Sequence, residues 1–212
     1  MGSNDNRNRL RGLYVIVDPE HTAGRPPEEI TRAALAGGAT IIQLRDKVSD
    51  KGPMLETAIK VSELCKEAGA LFFMNDHADI AVLSAADGLH VGQTDLPVDA
   101  ARKVLVPGQM IGISNHAMQE ALVSISEQVD YVAVGAIYGT ATKEVTVSAG
   151  LETLVMIRGE IDSPIAAIGG INASNIGPVM AAGAEMACVI SAVGMAADPE
   201  AATRELVALA NG

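Results

Sequence analysis

Short apolar runs alternate with amphipathic stretches along the whole chain. Residues 12–18 form the first run, apolar and β-branched up to the closing Asp18. Residues 26–37 follow as a helix, started by Pro-Pro-Glu-Glu and stopped by Gly37-Gly38. A second strand covers 39–44. Residues 52–68 then place Met54, Leu55, Ala58, Val61, Leu64 and Cys65 on one helical face and end at Gly69. The same alternation predicts strands over 70–74, 88–91, 110–113, 130–134, 164–168 and 186–190. Helices are predicted over 78–85, 97–106, 117–128, 151–159, 173–182 and 199–209.

The strands are continuous apolar runs, as expected for parallel strands buried on both faces. Eight strand–helix pairs favour a single-domain α/β (β/α)8 TIM barrel over residues 12–212, with an open doubly wound sheet as the structural alternative. Residues 1–11 are polar, carry both charge signs and are expected to be a disordered leader.

Composition narrows the function. Fifteen basic residues stand against 26 acidic ones, a formal charge of −11, and aromatics are 2% with no Trp. Nucleic acid and anionic membrane are poor partners for such a surface. No apolar run is long enough to span a bilayer, and no signal-peptide core follows the start. The two cysteines, Cys65 and Cys188, form neither a disulfide framework nor a metal spacing, which fits reduced thiols in a cytoplasmic protein.

Barrel enzymes carry their chemistry at the C-terminal ends of the strands. Arg45 and Lys47, two apart at the second strand's exit, suit an anion or a rim salt bridge with Asp46 or Asp50. Asp76 and Asp95 end neighbouring strands and suit a divalent cation or helix caps. Thr140, Ala141, Thr142 and Lys143 put hydroxyls, amides and a cation in one turn. Gly169-Gly170 and Ser191 fall where such barrels bind phosphate, although a tight turn alone would also select the glycines. Of the four histidines, His21 is expected in solvent, His77 and His116 in supporting or capping roles, and His90 as a hydrogen-bonded barrel residue. No zinc spacing, nucleophile elbow or P-loop is present.

The strings Gln43-Leu44-Arg45-Asp46-Lys47, Asn75-Asp76, Gly92-Gln93-Thr94-Asp95-Leu96-Pro97, Gly112-Ile113-Ser114, Thr140-Ala141-Thr142-Lys143, Ala167-Ile168-Gly169-Gly170-Ile171 and Ile190-Ser191 resemble, in order, the motif series of the thiamine-phosphate synthase family. The resemblance implies a transferase of thiamine biosynthesis. It would join a hydroxymethylpyrimidine diphosphate to a thiazole phosphate, with Mg²⁺, and release pyrophosphate. It further implies small-molecule substrates and a homodimer.

By motif, Gln43, Leu44, Arg45, Asp46, Lys47, Asn75, Ser114 and Lys143 would hold the pyrimidine diphosphate, and Arg45, Lys47, Ser114 and Lys143 would be catalytic. Asp76 and Asp95 would bind Mg²⁺. Thr140, Ala141, Thr142, Gly170, Ile190 and Ser191 would hold the thiazole phosphate. The sequence departs from the family at Ala136 and Gly139, where prolines are usual, at His77, and over 144–149. The absent prolines predict a looser loop after the sixth strand. Two rivals use the same barrel. One is a thiazole tautomerase-like enzyme working through His116; the other is a non-catalytic barrel that binds thiamine precursors.

Overall fold

The computed structural model describes residues 7–139 and 150–212. The strands are β1 (Gly12–Val17), β2 (Ile41–Leu44), β3 (Leu71–Asn75), β4 (Gly88–Val91), β5 (Met110–Asn115), β6 (Tyr131–Val134), β7 (Ile165–Ile168) and β8 (Met186–Val189). They pair in parallel in sequence order, and β8 pairs with β1 to close the barrel. The helices are α1 (Pro27–Ala36), α2 (Lys51–Ala68), α3 (Ala78–Leu83), α4 (Val98–Val104), α5 (Met118–Ser126), α6 (Gly150–Glu160), α7 (Ile176–Ala181), α8 (Ser191–Gly194) and α9 (Pro199–Ala210). The expected (β/α)8 barrel is therefore the fold.

Each helix follows from local chemistry. Pro27 opens α1, and Glu28 and Glu29 sit in its first turn, where the helix dipole favours acids. Gly69, at φ +69°, closes α2 in the left-handed conformation that glycine adopts without a Cβ penalty. Asp198 caps α9 by accepting the Ala201 amide at 3.0 Å. Of the face predicted on α2, Met54, Ala58, Val61 and Cys65 are buried.

Strand alternation divides the core in two. Leu13, Val15, Ile42, Leu44, Phe72 and Met74 belong to the outer layer, packed with residues of the surrounding helices. Tyr14, Ile16, Ile41, Phe73, Met110, Tyr131, Ala166, Met186 and Cys188 form the inner cluster. Aromatics are scarce in this chain, yet three of them meet inside. Tyr14 lies 6.0 Å from Phe73 and Phe73 lies 5.4 Å from Tyr131, ring centre to ring centre. Gly88 and Gly112 make room for them: a Cβ would collide with the Phe73 ring at Gly88 and with the Tyr131 ring at Gly112.

At the N-terminal rim one device recurs. Asp87, just before β4, accepts the Phe72 amide of β3 at 2.9 Å. Asp130, just before β6, accepts the Ile111 amide of β5 at 2.8 Å. Glu185, just before β8, accepts the Ile165 amide of β7 at 2.8 Å. Each carboxylate ties one strand to the next.

The structure corrects the leader in its described part. Leu10 is 2% exposed and joins the inner cluster, and Arg7 donates to the Val129 carbonyl at 2.8 Å. An apolar residue two positions before β1 lets the chain stopper the barrel floor. Two short elements were not predicted, a 3₁₀ turn at Pro19–His21 and α8. Both lie at the mouth, and both are too short for a periodic signal. β5 also runs on to Asn115, so Ser114 belongs to a strand rather than a loop.

Replacing Gly112 with Ala forces a methyl group into the Tyr131 ring. We expect Gly112→Ala to lose about 1–3 kcal/mol of stability, read as a lower urea midpoint at unchanged slope. An unchanged midpoint would show that Tyr131 can move aside.

Candidate active site

The C-terminal mouth has a charged half over β1–β4 and, over β5–β8, a half whose described cavity lining carries no Asp, Glu, Lys or Arg, called the uncharged half below. In the charged half, Asp18 follows β1 with a fully buried side chain and forms an ion pair with Arg45. Its other oxygen accepts the Glu20 amide at 3.0 Å, so the 3₁₀ turn holds the carboxylate in place. His21 sits beside it, Nδ1 3.5 Å from Asp18 Oδ2, half-buried rather than in solvent as expected.

The run 43–47 splits by alternation. Gln43 and Arg45 turn into the barrel, and Lys47 pairs with Asp76. Leu44 packs in the outer apolar layer, so its side chain does not face the mouth. Asp46 turns back on its own loop and accepts the Val48 and Ser49 amides at 3.0 and 2.9 Å. The rim pairing of Arg45 and Lys47 with Asp46 or Asp50, one of the two alternatives, is replaced by partners just beyond β1 and β3. Strand pairing, not sequence proximity, chooses them.

Asp76 stands at φ +59°, its amide donating to the His90 carbonyl at 2.8 Å. Neither Asp76 nor Asp95 caps a helix; the residues at the cap positions are His77 and Pro97. Asp95 accepts the Gly92 amide at 2.8 Å, and its carboxyl is close enough to share a hydrogen bond with that of Asp76. Burial pushes the Asp76 carboxyl above the usual carboxylate range. The facing Asp95 adds to the rise, and Lys47 opposes it. Burial also works against ionisation of Asp95, but the Gly92 amide and Asp76 outweigh it and hold Asp95 below that range.

Two hard oxygen ligands sharing one site, one of them reluctant to ionise alone, fit a divalent cation of the Mg²⁺ kind. No group of three or more acidic, His or Cys side chains placed to hold a metal gathers anywhere among the described residues, so this pair would supply two protein ligands only. The remaining positions around such an ion would fall to water and ligand oxygens, as Mg²⁺ prefers.

The uncharged half is a cavity of about 360 Å³ lined by Ser114, Ala133, Gly135, Gly169, Gly170, Cys188, Ile190 and Ser191, among others. Among its described lining residues the one imidazole is His116, whose Nδ1 lies 2.6 Å from the Gly135 carbonyl. Gly169 and Gly170 adopt φ +108° and +64°, and a side chain on either would strike the segment after β6. That segment is held to β7 by the Ile137 and Tyr138 amides, which donate to Ile168 and Gly169 at 2.9 and 3.0 Å. The loop start is therefore pinned despite Ala136 and Gly139.

Ser114 joins the halves. It lines the cavity, and its hydroxyl lies 2.9 Å from His90 Nε2. Asn75, in register with His90, completes the inner wall. Gln43, Arg45, Lys47, Asn75, Asp76, Asp95 and Ser114 thus gather at one mouth with Gly170, Ile190 and Ser191. Thr140, Ala141, Thr142 and Lys143 lie outside the described residues. Sequence reasoning missed Asp18 as the partner of Arg45 and Asn115 as a cavity residue. An acid closing the first apolar run was the available signal for Asp18.

The thiamine monophosphate synthase family matches over residues 13–193. A thiamine-phosphate synthase from Moorella thermoacetica is 46% identical over 195 residues, covering 92% of this chain and 93% of its own. One from Chloroflexus aurantiacus is 42% identical over 198 residues, covering 93% and 91%. A solved thiamine phosphate pyrophosphorylase from Pyrococcus furiosus superposes with a TM-score of 0.89 at 37% identity, covering 97% and 98%.

The loop carrying Arg45 and Lys47 depends on an ionised Asp46. Burial opposes that ionisation, but the Ser49 hydroxyl and amide, the Val48 amide and nearby His77 outweigh it and hold the carboxyl below its ordinary 3.8. A depressed value stabilises the fold above the unfolded pKa and loses that contribution as pH falls through the folded one. Asp46→Asn is expected to cost about 1 kcal/mol at pH 7. The gap to wild type should close in acid, below 3.8. Urea titrations across pH check this; a gap independent of pH would show that the charge does not anchor the loop.

Proposed function

The chain belongs to the thiamine monophosphate synthase family and is a transferase that makes thiamine phosphate, and from that premise we propose how its mouth divides the work. The charged half takes the pyrimidine diphosphate, and the uncharged cavity takes the thiazole phosphate. This segregation of charge is the observation that carries the reading. An apolar ring fits the Ile168, Ile190 and Cys188 walls, and the amides around Gly169, Gly170 and Ser191 suit its phosphate. A diphosphate needs cations, and Arg45 and Lys47 supply them on the other side.

In the reaction, the bond from the pyrimidine methylene to the diphosphate oxygen breaks, and its electron pair leaves with the oxygen. The thiazole nitrogen lone pair forms the new carbon–nitrogen bond. That nitrogen carries no proton, so no general base is required. The work of the protein is to stabilise charge on the leaving group and to keep water from the electron-poor methylene. Arg45, Lys47 and Lys143 would bind the departing oxygens, and the Ser114 hydroxyl would reach them from the boundary of the two halves. Asp18 keeps Arg45 aimed inward. A bound Mg²⁺ supplies further neutralisation of the leaving diphosphate, and Asp76 and Asp95 are the residues that would hold it. The buried, free Cys65 and Cys188 suit a reducing cytoplasm.

Tautomerase-like chemistry would instead place proton transfer on His116, and it has no use for the Asp76–Asp95 pair. The two are separated by assay. Pyrophosphate should appear only when both substrates and Mg²⁺ are present, and His116→Ala should leave most of that turnover intact. Thiazole isomerisation lost in His116→Ala, with no pyrophosphate from wild type, would reverse the assignment. Asp76→Asn and Lys143→Ala should each lower kcat by about 10²–10³. Mg²⁺ should raise the melting temperature of wild type but not of Asp76→Asn. Near-wild-type turnover in either variant would remove that residue from the role.

A further inference from the structure

A thread of polar side chains crosses the otherwise apolar barrel interior. Gln43 Nε2 donates to the Tyr14 hydroxyl at 2.7 Å. The Tyr14 and Tyr131 hydroxyls lie 3.0 Å apart. The Tyr131 hydroxyl lies 2.8 Å from His90 Nδ1, and His90 Nε2 lies 2.9 Å from Ser114 Oγ. Both ends of the thread reach the mouth, while Tyr14 and Tyr131 are 1% and 0% exposed. Burial holds both phenols far above their usual pKa, so each keeps its single proton.

With Gln43 Nε2 facing Tyr14 and the imidazole neutral, counting protons orients every bond. Tyr14 accepts from the Gln43 amide and gives its own proton to Tyr131. Tyr131, already an acceptor, gives its proton to His90 Nδ1. That nitrogen then carries no hydrogen, so the imidazole is the Nε2–H tautomer and donates to Ser114 Oγ. Ser114 has accepted one bond and keeps its hydroxyl proton for whatever lies in the mouth. At the other end, no described residue bonds Gln43 Oε1, and it is not among the buried atoms left without a partner. Gln43 is only 2% exposed, so this oxygen is an acceptor for a group that reaches down to it from the mouth. Turning the Gln43 amide over would reverse every bond and exchange the two roles. Tyr131 cannot slip out of line: its ring stacks on His90 at 5.6 Å and packs edge-on to Phe73.

We infer that Tyr14 and Tyr131 are positioning residues, forming with His90 a one-way hydrogen-bond relay that makes Ser114 a donor whenever Gln43 is an acceptor. The relay ties recognition of a hydrogen-bond donor on one part of a ligand to recognition of an anion on another. It deepens the proposed function and rests on it for the ligand. An aminopyrimidine diphosphate carries both groups, an amine for Gln43 and phosphate oxygens for Ser114. A ligand with only one of them leaves one end of the thread unmatched.

The test begins on the ligand-free protein, so it does not depend on the activity. Nitrogen-15 NMR of the wild-type imidazoles should show His90 as the Nε2–H tautomer alone. Tyr131→Phe, which keeps the ring and removes the hydroxyl, should turn that signal into a tautomer mixture. It should also lower kcat about tenfold, with KM for the thiazole phosphate within twofold of wild type because the cavity half is untouched. Tyr14→Phe cuts the thread one step earlier and serves if Tyr131→Phe fails to fold. The double variant should lose no more than the worse single one, because both break one chain. The Nδ1–H tautomer alone in wild type overturns the direction of the relay, with Gln43 then the donor and Ser114 the acceptor at the mouth. An imidazolium or a tautomer mixture in wild type overturns the relay itself. So does a tautomer that neither single variant moves, even if activity falls, since that result marks a purely structural loss. Wild type that releases no pyrophosphate would sink the functional reading alone, and the tautomer measurement would still decide the relay.

Discussion

Closing eight parallel strands on themselves sends every second residue of each strand into one narrow cylinder, and every later feature of this protein is negotiated with that confinement. There is room for Phe73 and Tyr131 only because Gly88 and Gly112 carry no side chain beneath their rings. There is room for polar groups only if each finds a partner, because unpaired hydroxyls or amides there would cost about 1–3 kcal/mol each. The interior is consequently apolar at the floor, hydrogen-bonded through the middle and charged only where the strands end.

Much of this was legible in the chain. All eight strands, the parallel order and the barrel follow from apolar runs and helix punctuation, which act locally. The acids and cations of the mouth were legible as residue types at strand exits. Their pairing was not. Asp18 meets Arg45, and Lys47 meets Asp76, across strand boundaries that only the closed sheet defines. Leu44 and Asp46 were read as part of one binding run, although a two-residue period turns their side chains away from Gln43 and Arg45. His90 was correctly read as a satisfied barrel histidine, but its partners Tyr131 and Ser114 come from β6 and β5, which no local pattern connects to it. The 3₁₀ turn and α8 are each shorter than one reliable helical period.

The global charge of −11 looks hostile to a site for phosphorylated ligands. The structure removes much of the conflict by location. Asp87, Asp130 and Glu185 lie on the rim opposite the mouth and are occupied by backbone amides, with Arg102 and Arg158 answering two of them. In the mouth, Asp18 is neutralised by Arg45, and Asp76 faces Lys47. The half of the mouth read here as the thiazole pocket contains no carboxylate among its described lining residues. Local fields, not net charge, govern what such a site can hold.

Those three carboxylates on the lower rim have one more consequence. A strand that slid by a single residue would trade its inner and outer faces. Each carboxylate notches a neighbouring strand at the amide of its first or second residue, as a keyway fixes a wheel on a shaft. Alignment is thus set at the end of the barrel farthest from the reactive groups. The upper loops are left as a superstructure, free to change length or composition over evolutionary time while the staves beneath them stay in step.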